Sequence, residues 1–262
     1  MFDFLAYSST KLQLFLLLIV RASGLFLAAP ILQHRSFPTT AKVGLIFLLA
    51  LVSMPALQDV SIPETLTLLE LAGLAVKELM VGVLTGFFFF LLFKAAELAG
   101  VITGFQVGLA ISQSFDPNAG EQVSIIGRLW VALASLIFLA INGHHLVIQA
   151  FADSCRVITP GQMVVSGDTA LVMIKYTAYV FVLAIKIAAP VMITLTLTDV
   201  ALGTIAKLMP TMNIFIVGFP LKIGVGLMVV ALSLPVFAYV LEKSTLYLNS
   251  GMSELLASMA QR

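Results

Sequence analysis

The chain has 262 residues, 60% of them apolar and only 10% charged, with a formal net charge of +1, and its mean hydropathy is +1.10. That is far above what a soluble domain of this length carries, so a bilayer or a very apolar protein shell must be its solvent. Lys and Arg are scattered without basic blocks, which excludes nucleic acid as a partner; the single Cys155 excludes an internal disulfide framework and a thiolate-rich metal site.

The first apolar stretch runs from Leu12 to Leu32. Leu12 to Val20 followed by Ala28-Ala29 has the outline of a secretory signal, but Arg21 interrupts the run and the apolar pattern resumes beyond it. An uncleaved membrane helix is expected. Further stretches follow at Val43 to Leu57, Leu66 to Phe93, Leu129 to Phe151, Ala170 to Thr198 and Ile214 to Leu241. Each approaches or exceeds the ~20 residues of a spanning helix, Val43 to Leu57 being the shortest, so an all-α membrane protein of about six long hydrophobic helices is predicted. Pro30, Pro38, Pro55, Pro63, Asp116-Pro117-Asn118, Pro160-Gly161 and Pro210 punctuate them as turns, and no soluble domain intervenes. Lys11, Arg156, Lys175, Lys243 and Arg262 fall on one side of the implied topology, and Arg35, Lys42, Lys94, Arg128 and Lys207 on the other. This balance gives no orientation.

Several charges fall inside the apolar runs: Arg21, Lys77, Glu78, Lys186 and Lys222. A charge at a helix centre costs about 2.5–3.5 kcal/mol to insert, so these side chains are expected to avoid lipid. Lys222, near its helix start, can also snorkel to a headgroup region. For Lys77, Glu78 and Lys186 a buried partner or a water-filled path is expected.

Gly82 and Gly86, then Gly100, Gly104 and Gly108, recur at four-residue spacing and share a helix face, which lets backbones approach closely. Packing within the chain is the plain expectation, and a subunit interface the sharper one. After this stripe comes Leu109-Ala110-Ile111-Ser112-Gln113-Ser114-Phe115-Asp116-Pro117-Asn118. From its residues alone this is an ordinary connecting loop, although irregular backbone at membrane depth can also occlude a pore. Asn142-Gly143-His144-His145 invites a metal, but adjacent histidines do not share a helix face, and no metal site is expected. Met209 to Pro220 holds Pro210, Asn213, Phe215, Gly218 and Pro220, and predicts a helix start with a kink or break.

Neither HExxH nor GxGD occurs, since Val165-Ser166-Gly167-Asp168 lacks the first glycine, so no enzyme activity and no cofactor are expected. A small-solute or ion transporter is the alternative class. Its usual inverted repeats are missing, because the breaks near Phe115 and Pro210 do not fall at matching positions of two halves.

Three ordered blocks carry a family resemblance: Gly100 to Gln106 leading into Ser114-Phe115-Asp116-Pro117, then Leu139 to His145, then Pro210 to Pro220. Over nearly its whole length the chain resembles the FliR family of bacterial flagellar export-gate proteins, which has relatives in virulence type III secretion. Thr211-Met212 departs from the Gln-Leu or Gln-Met usual before the asparagine, so a polar contact made there by relatives is in doubt. The Gly-Phe-Pro ending is closer to the flagellar branch.

The resemblance implies a core subunit of the inner-membrane export gate at the flagellar basal body. It would stand beside FliP-like and FliQ-like subunits in a right-handed stack of helical hairpins raised partly from the bilayer, with FlhB and FlhA as associated export proteins and membrane lipid around it. Residues 1–169 would be a FliP-like portion with a plug loop near 104–121, and residues 170–262 a FliQ-like hairpin, all in one membrane-embedded domain. Unfolded flagellar proteins would pass through the channel. Leu109, Ile111, Phe115, Asp116 and Pro117 would form the plug, Gly100, Gly104 and Gly108 its hinge and packing base, and Pro210, Asn213, Phe215, Gly218 and Pro220 the assembly end of the last hairpin.

Overall fold

A computed structural model of the chain describes residues 2–30, 38–57, 67–108, 124–209 and 213–260, without the side chains of residues 2–10, 56, 214 and 215. Among these residues there are seven α-helices and no strands: α1 (Phe2–Ala28), α2 (Thr39–Ser53), α3 (Leu68–Val107), α4 (Ile125–Ala140), α5 (Gly143–Val157), α6 (Gly167–Leu208) and α7 (Ile214–Met259). A short 3₁₀ turn, Met54–Leu57, follows α2. The protein is an all-α membrane protein. Four helices are long and apolar enough to cross a bilayer (Lys11–Ala28, Leu68–Val107, Gly167–Leu208 and Ile216–Met259), and α4 with α5 form a broken pair that together would make a fifth.

Three of the helices, α3, α4 and α6, begin where side chains replace missing backbone partners. Thr67 and Glu70 form a reciprocal capping box at α3: the Thr67 N–H donates to Glu70 Oε2 at 2.8 Å, and the Glu70 N–H donates to Thr67 Oγ1 at 3.4 Å. Ser124 accepts from the Gly127 N–H at 3.1 Å to start α4. Ser166 and Thr169 exchange the same kind of bonds at α6.

Two expectations about boundaries change. The stretch Leu129 to Phe151 is not one helix, because Asn142 adopts φ 58° and ψ 31° and ends the regular hydrogen bonding between α4 and α5. Asparagine tolerates that left-handed conformation, and α5 starts at the next residue, Gly143. α7 begins after Asn213 as the sequence implies, but it runs on through Pro220 and Pro235 as one helix.

The chain forms two compact units: Met1–Leu91 with Asn142–Thr177 and Thr245–Arg262, and Leu92–Ile141 with Ala178–Ser244. In the first unit, buried Leu14 and Leu17 of α1 pack on Met54, Leu71, Leu74 and Ala75. Gly82 and Gly86 let α3 lie against α1: a Cβ on Gly82 would strike the Arg21 carbonyl, and one on Gly86 would come 2.8 Å from the Leu25 carbonyl. The end of α7 is held by Tyr176, whose ring stacks near Phe88 at 5.2 Å and Tyr247 at 5.4 Å, and whose hydroxyl donates to Glu254 Oε2 at 2.9 Å. Its last carbonyls are also occupied, since Met259 O accepts the Val164 N–H at 3.1 Å and Ser258 O accepts the Thr169 hydroxyl at 3.3 Å.

In the second unit, Trp130 is fully buried and its ring lies 4.4 Å from that of Phe237, while Phe93 meets Phe138 edge to face at 5.6 Å. A Cβ on Gly226 of α7 would meet Val107 Cγ2 at 2.6 Å and Leu195 Cδ1 at 3.5 Å, so α3, α6 and α7 converge there.

Candidate functional site

The charges inside the apolar runs resolve differently from one another. Arg21 and Glu78, both completely buried, form an ion pair of 2.6 Å between Nε and Oε2. The remaining guanidinium nitrogens donate to the Ser154 carbonyl at 2.8 Å and the Ile158 carbonyl at 3.1 Å, the last turn and end of α5. Glu78 Oε1 accepts the Gly161 N–H at 2.7 Å. Each guanidinium nitrogen and each carboxylate oxygen of the pair therefore has a hydrogen-bond partner, and a cation sits at a helix C-terminus where the backbone dipole favours it. Gly161 itself has φ +84°, a conformation that the Pro160-Gly161 turn needs and that a side chain would strain.

Glu78 thus has the buried partner expected of it, and that partner is Arg21. Lys77 is exposed instead, with a 3.4 Å contact from Nζ to the Gly161 carbonyl. Lys222 pairs with Asp199 at 2.8 Å between α7 and α6, a contact that sequence reasoning missed. Lys186 is exposed.

The glycine stripe approaches α4. A Cβ on Gly100 would meet the Gly127 backbone, with Gly127 N at 2.7 Å, and Trp130 Cδ1 at 2.8 Å; one on Gly104 would meet Ser124 Oγ at 2.8 Å. Ser124 fastens the same contact by donating to the Gly100 carbonyl at 3.2 Å while it caps α4. Gly108 has a different place. It lies just beyond the end of α3 with φ +90°, so the helix stops there, and a Cβ at this position would meet Phe219 Cδ1 at 3.3 Å.

Phe219 stands between Gly218 and Pro220. The base of the predicted loop and the start of α7 are therefore neighbours in the second unit. The sequence places Phe219 within the Gly-Phe-Pro block but gives no sign of its contact with Gly108. Gly218 is buried and Pro220 exposed; Asn213 is exposed and its carbonyl accepts the Ile216 N–H at 3.2 Å. Leu109, Ile111, Phe115, Asp116, Pro117 and Pro210 lie outside the described residues, as does the side chain of Phe215. His144 and His145 are exposed with ring centroids 4.3 Å apart, and among the described residues no group of three or more His, Cys, Asp or Glu is arranged to hold a metal.

These blocks lie within a longer match. A family profile described as "Bacterial export proteins, family 1" covers residues 12–247. The flagellar biosynthetic protein FliR of Bacillus subtilis (strain 168) is 34% identical over 216 residues, 81% of this chain and 82% of its own length. The chain belongs to the FliR family. FliR of Escherichia coli (strain K12) is 30% identical over 227 residues, 87% of this chain and 86% of its own. FliR of Aquifex aeolicus (strain VF5) is 29% identical over 198 residues, 76% of each chain. As a FliR family member with long apolar helices, the chain is a membrane subunit of the flagellar type III export apparatus. Gly100, Gly104, Ser124, Gly218 and Phe219 all lie inside the matched span.

Proposed function

We propose that this chain is a core subunit of the flagellar export gate in the bacterial inner membrane at the basal body, and that it helps to form and close the channel for unfolded flagellar proteins. Its neighbours are FliP-like and FliQ-like subunits, with FlhB and FlhA associated, and it performs no catalysis. Residues 1–169 act as the FliP-like portion and residues 170–262 as the FliQ-like hairpin.

The observation that carries the closing role is the junction at Gly108. A 40-residue helix ends there in a left-handed turn against Phe219. The helix end is held by Gly100, Gly104 and Ser124, and Leu109, Ile111 and Phe115 follow it directly in the sequence. Apolar side chains at a constriction block ions by dewetting, and a loop anchored at one fixed point can swing aside for a passing chain.

The test is ion conductance of the assembled gate in a planar bilayer. Deleting Leu109 to Phe115, or replacing Ile111 and Phe115 together with Gly, should open a leak while the complex still forms. Conductance equal to that of the intact gate rejects the plug.

A further inference from the structure

Lys186 is the sole charged residue between Lys175 and Asp199 on α6. That interval is about 35 Å of helix at about 1.5 Å per residue, enough to cross a hydrocarbon core of about 30 Å. Lys186 stands near its middle, about 16 Å along the helix from Lys175. From there four methylenes do not carry an ammonium to the headgroups.

The side chain is exposed, on a face that it shares with exposed Val182, Ile185 and Ile193. The ring of Tyr179 lies 5.9 Å from Nζ to its centroid, and the hydroxyl of that ring already shares a 3.2 Å hydrogen bond with Ser244. Among the described residues no carboxylate lies within ion-pair distance of it: Asp199 serves Lys222, Glu78 serves Arg21, Glu97 serves Lys94 and Glu254 serves Lys175. Of the other cations inside apolar runs, Arg21 and Lys222 are paired with acids within the chain, and Lys77 has the Gly161 carbonyl at 3.4 Å. Lys186 has neither, and an ammonium facing hydrocarbon is costly enough that such residues ordinarily face protein or water.

We propose that Lys186 forms an ion pair with an Asp or Glu on a helix of a neighbouring gate subunit, and that the apolar face around it is where that helix docks. This rests on the reading of the chain as a gate subunit. The apolar residues supply the packing area, and the single cation fixes the depth at which the partner helix must present its carboxylate. A helix with an acid elsewhere would leave two charges unpaired, so the pair selects register.

The test uses the whole assembled gate, with Lys186→Met, Lys186→Glu and Lys186→Arg variants purified through a tag on this chain. Met and Glu should cut recovery of one neighbouring subunit at least tenfold, and Arg should retain it. Because Lys186 is exposed in the lone chain, the yield of the variant chain itself should not fall. In the wild-type gate, a carbodiimide should join Nζ to an Asp or Glu of another chain as an amide with loss of water, located by mass spectrometry of the linked peptide.

Recovery of the Lys186→Met gate at the wild-type level overturns the pairing. So does labelling of Lys186 by a membrane-impermeant amine reagent in the intact gate without any inter-chain amide, which would place it in an aqueous lumen. A wild-type chain that elutes with no other subunit instead overturns the gate reading itself, and the pairing with it.

Discussion

Arg21 and Glu78 show most clearly how single residues hold this chain together. Their pair is buried at zero exposure on both sides and joins α1, α3, the end of α5 and the Pro160-Gly161 turn. Removing one partner strands the other charge in an apolar interior. Arg21→Met alone should therefore destabilise the folded chain by about 3–5 kcal/mol, and the double replacement Arg21→Met with Glu78→Met by much less. Thermal unfolding of the purified protein checks this, and equal losses in the single and double variants would contradict it. Glycines differ by site in the same way. Gly100→Ala drives a methyl into the Gly127 backbone and should cost about 1–3 kcal/mol, whereas Gly203→Ala, with nothing within 4 Å, should be neutral or gain up to about 1 kcal/mol of helix propensity. The same melting measurement separates the two. The sequence marks Arg21 and Glu78 as costly charges but does not join them, because they are 57 residues apart and nothing local pairs them.

At the scale of elements, apolar runs are legible because the membrane requires them, and their ends are less so. α3 continues well past Phe93, where the apolar run stops, because Lys94 and Glu97 are good helix formers that pair at 2.6 Å one turn apart. Its start was readable as Thr67-Leu68-Leu69-Glu70, a capping pattern hidden inside a run beginning at Leu66. The break at Asn142 falls where strongly apolar α4 gives way to a more polar α5 that opens on His144-His145, and the asparagine-glycine pair is the local sign of it. α7 shows the reverse: Pro220 looks like a break, yet it removes only one backbone bond from a helix long enough to continue, as it does through Pro235. Asn213 and Pro220 shape the entry to α7, where Gly218 is buried and Phe219 meets Gly108. Replacing Asn213 and Pro220 together with Ala should reduce recovery of neighbouring subunits several-fold while the chain itself still inserts. Unchanged co-purification would assign them no part in assembly.

At the scale of the molecule, exposed apolar surface is the informative quantity. α6 and α7 leave Phe181, Ile193, Leu197, Val200, Met228 and Leu232 exposed, each at 60% or more, and these helices need lipid or other protein around them. Composition alone makes that point, and the family match adds that the chain is a subunit of the flagellar export apparatus. The proposed gate role depends on company: a gate subunit should be inert alone, and a small-solute transporter should not. Affinity purification of the tagged chain from native membranes, with identification of every co-eluting chain, is the most direct measurement. FliP-like and FliQ-like proteins should elute with it. Recovery of the chain without them, in a form that moves a small solute across vesicles, would contradict the account.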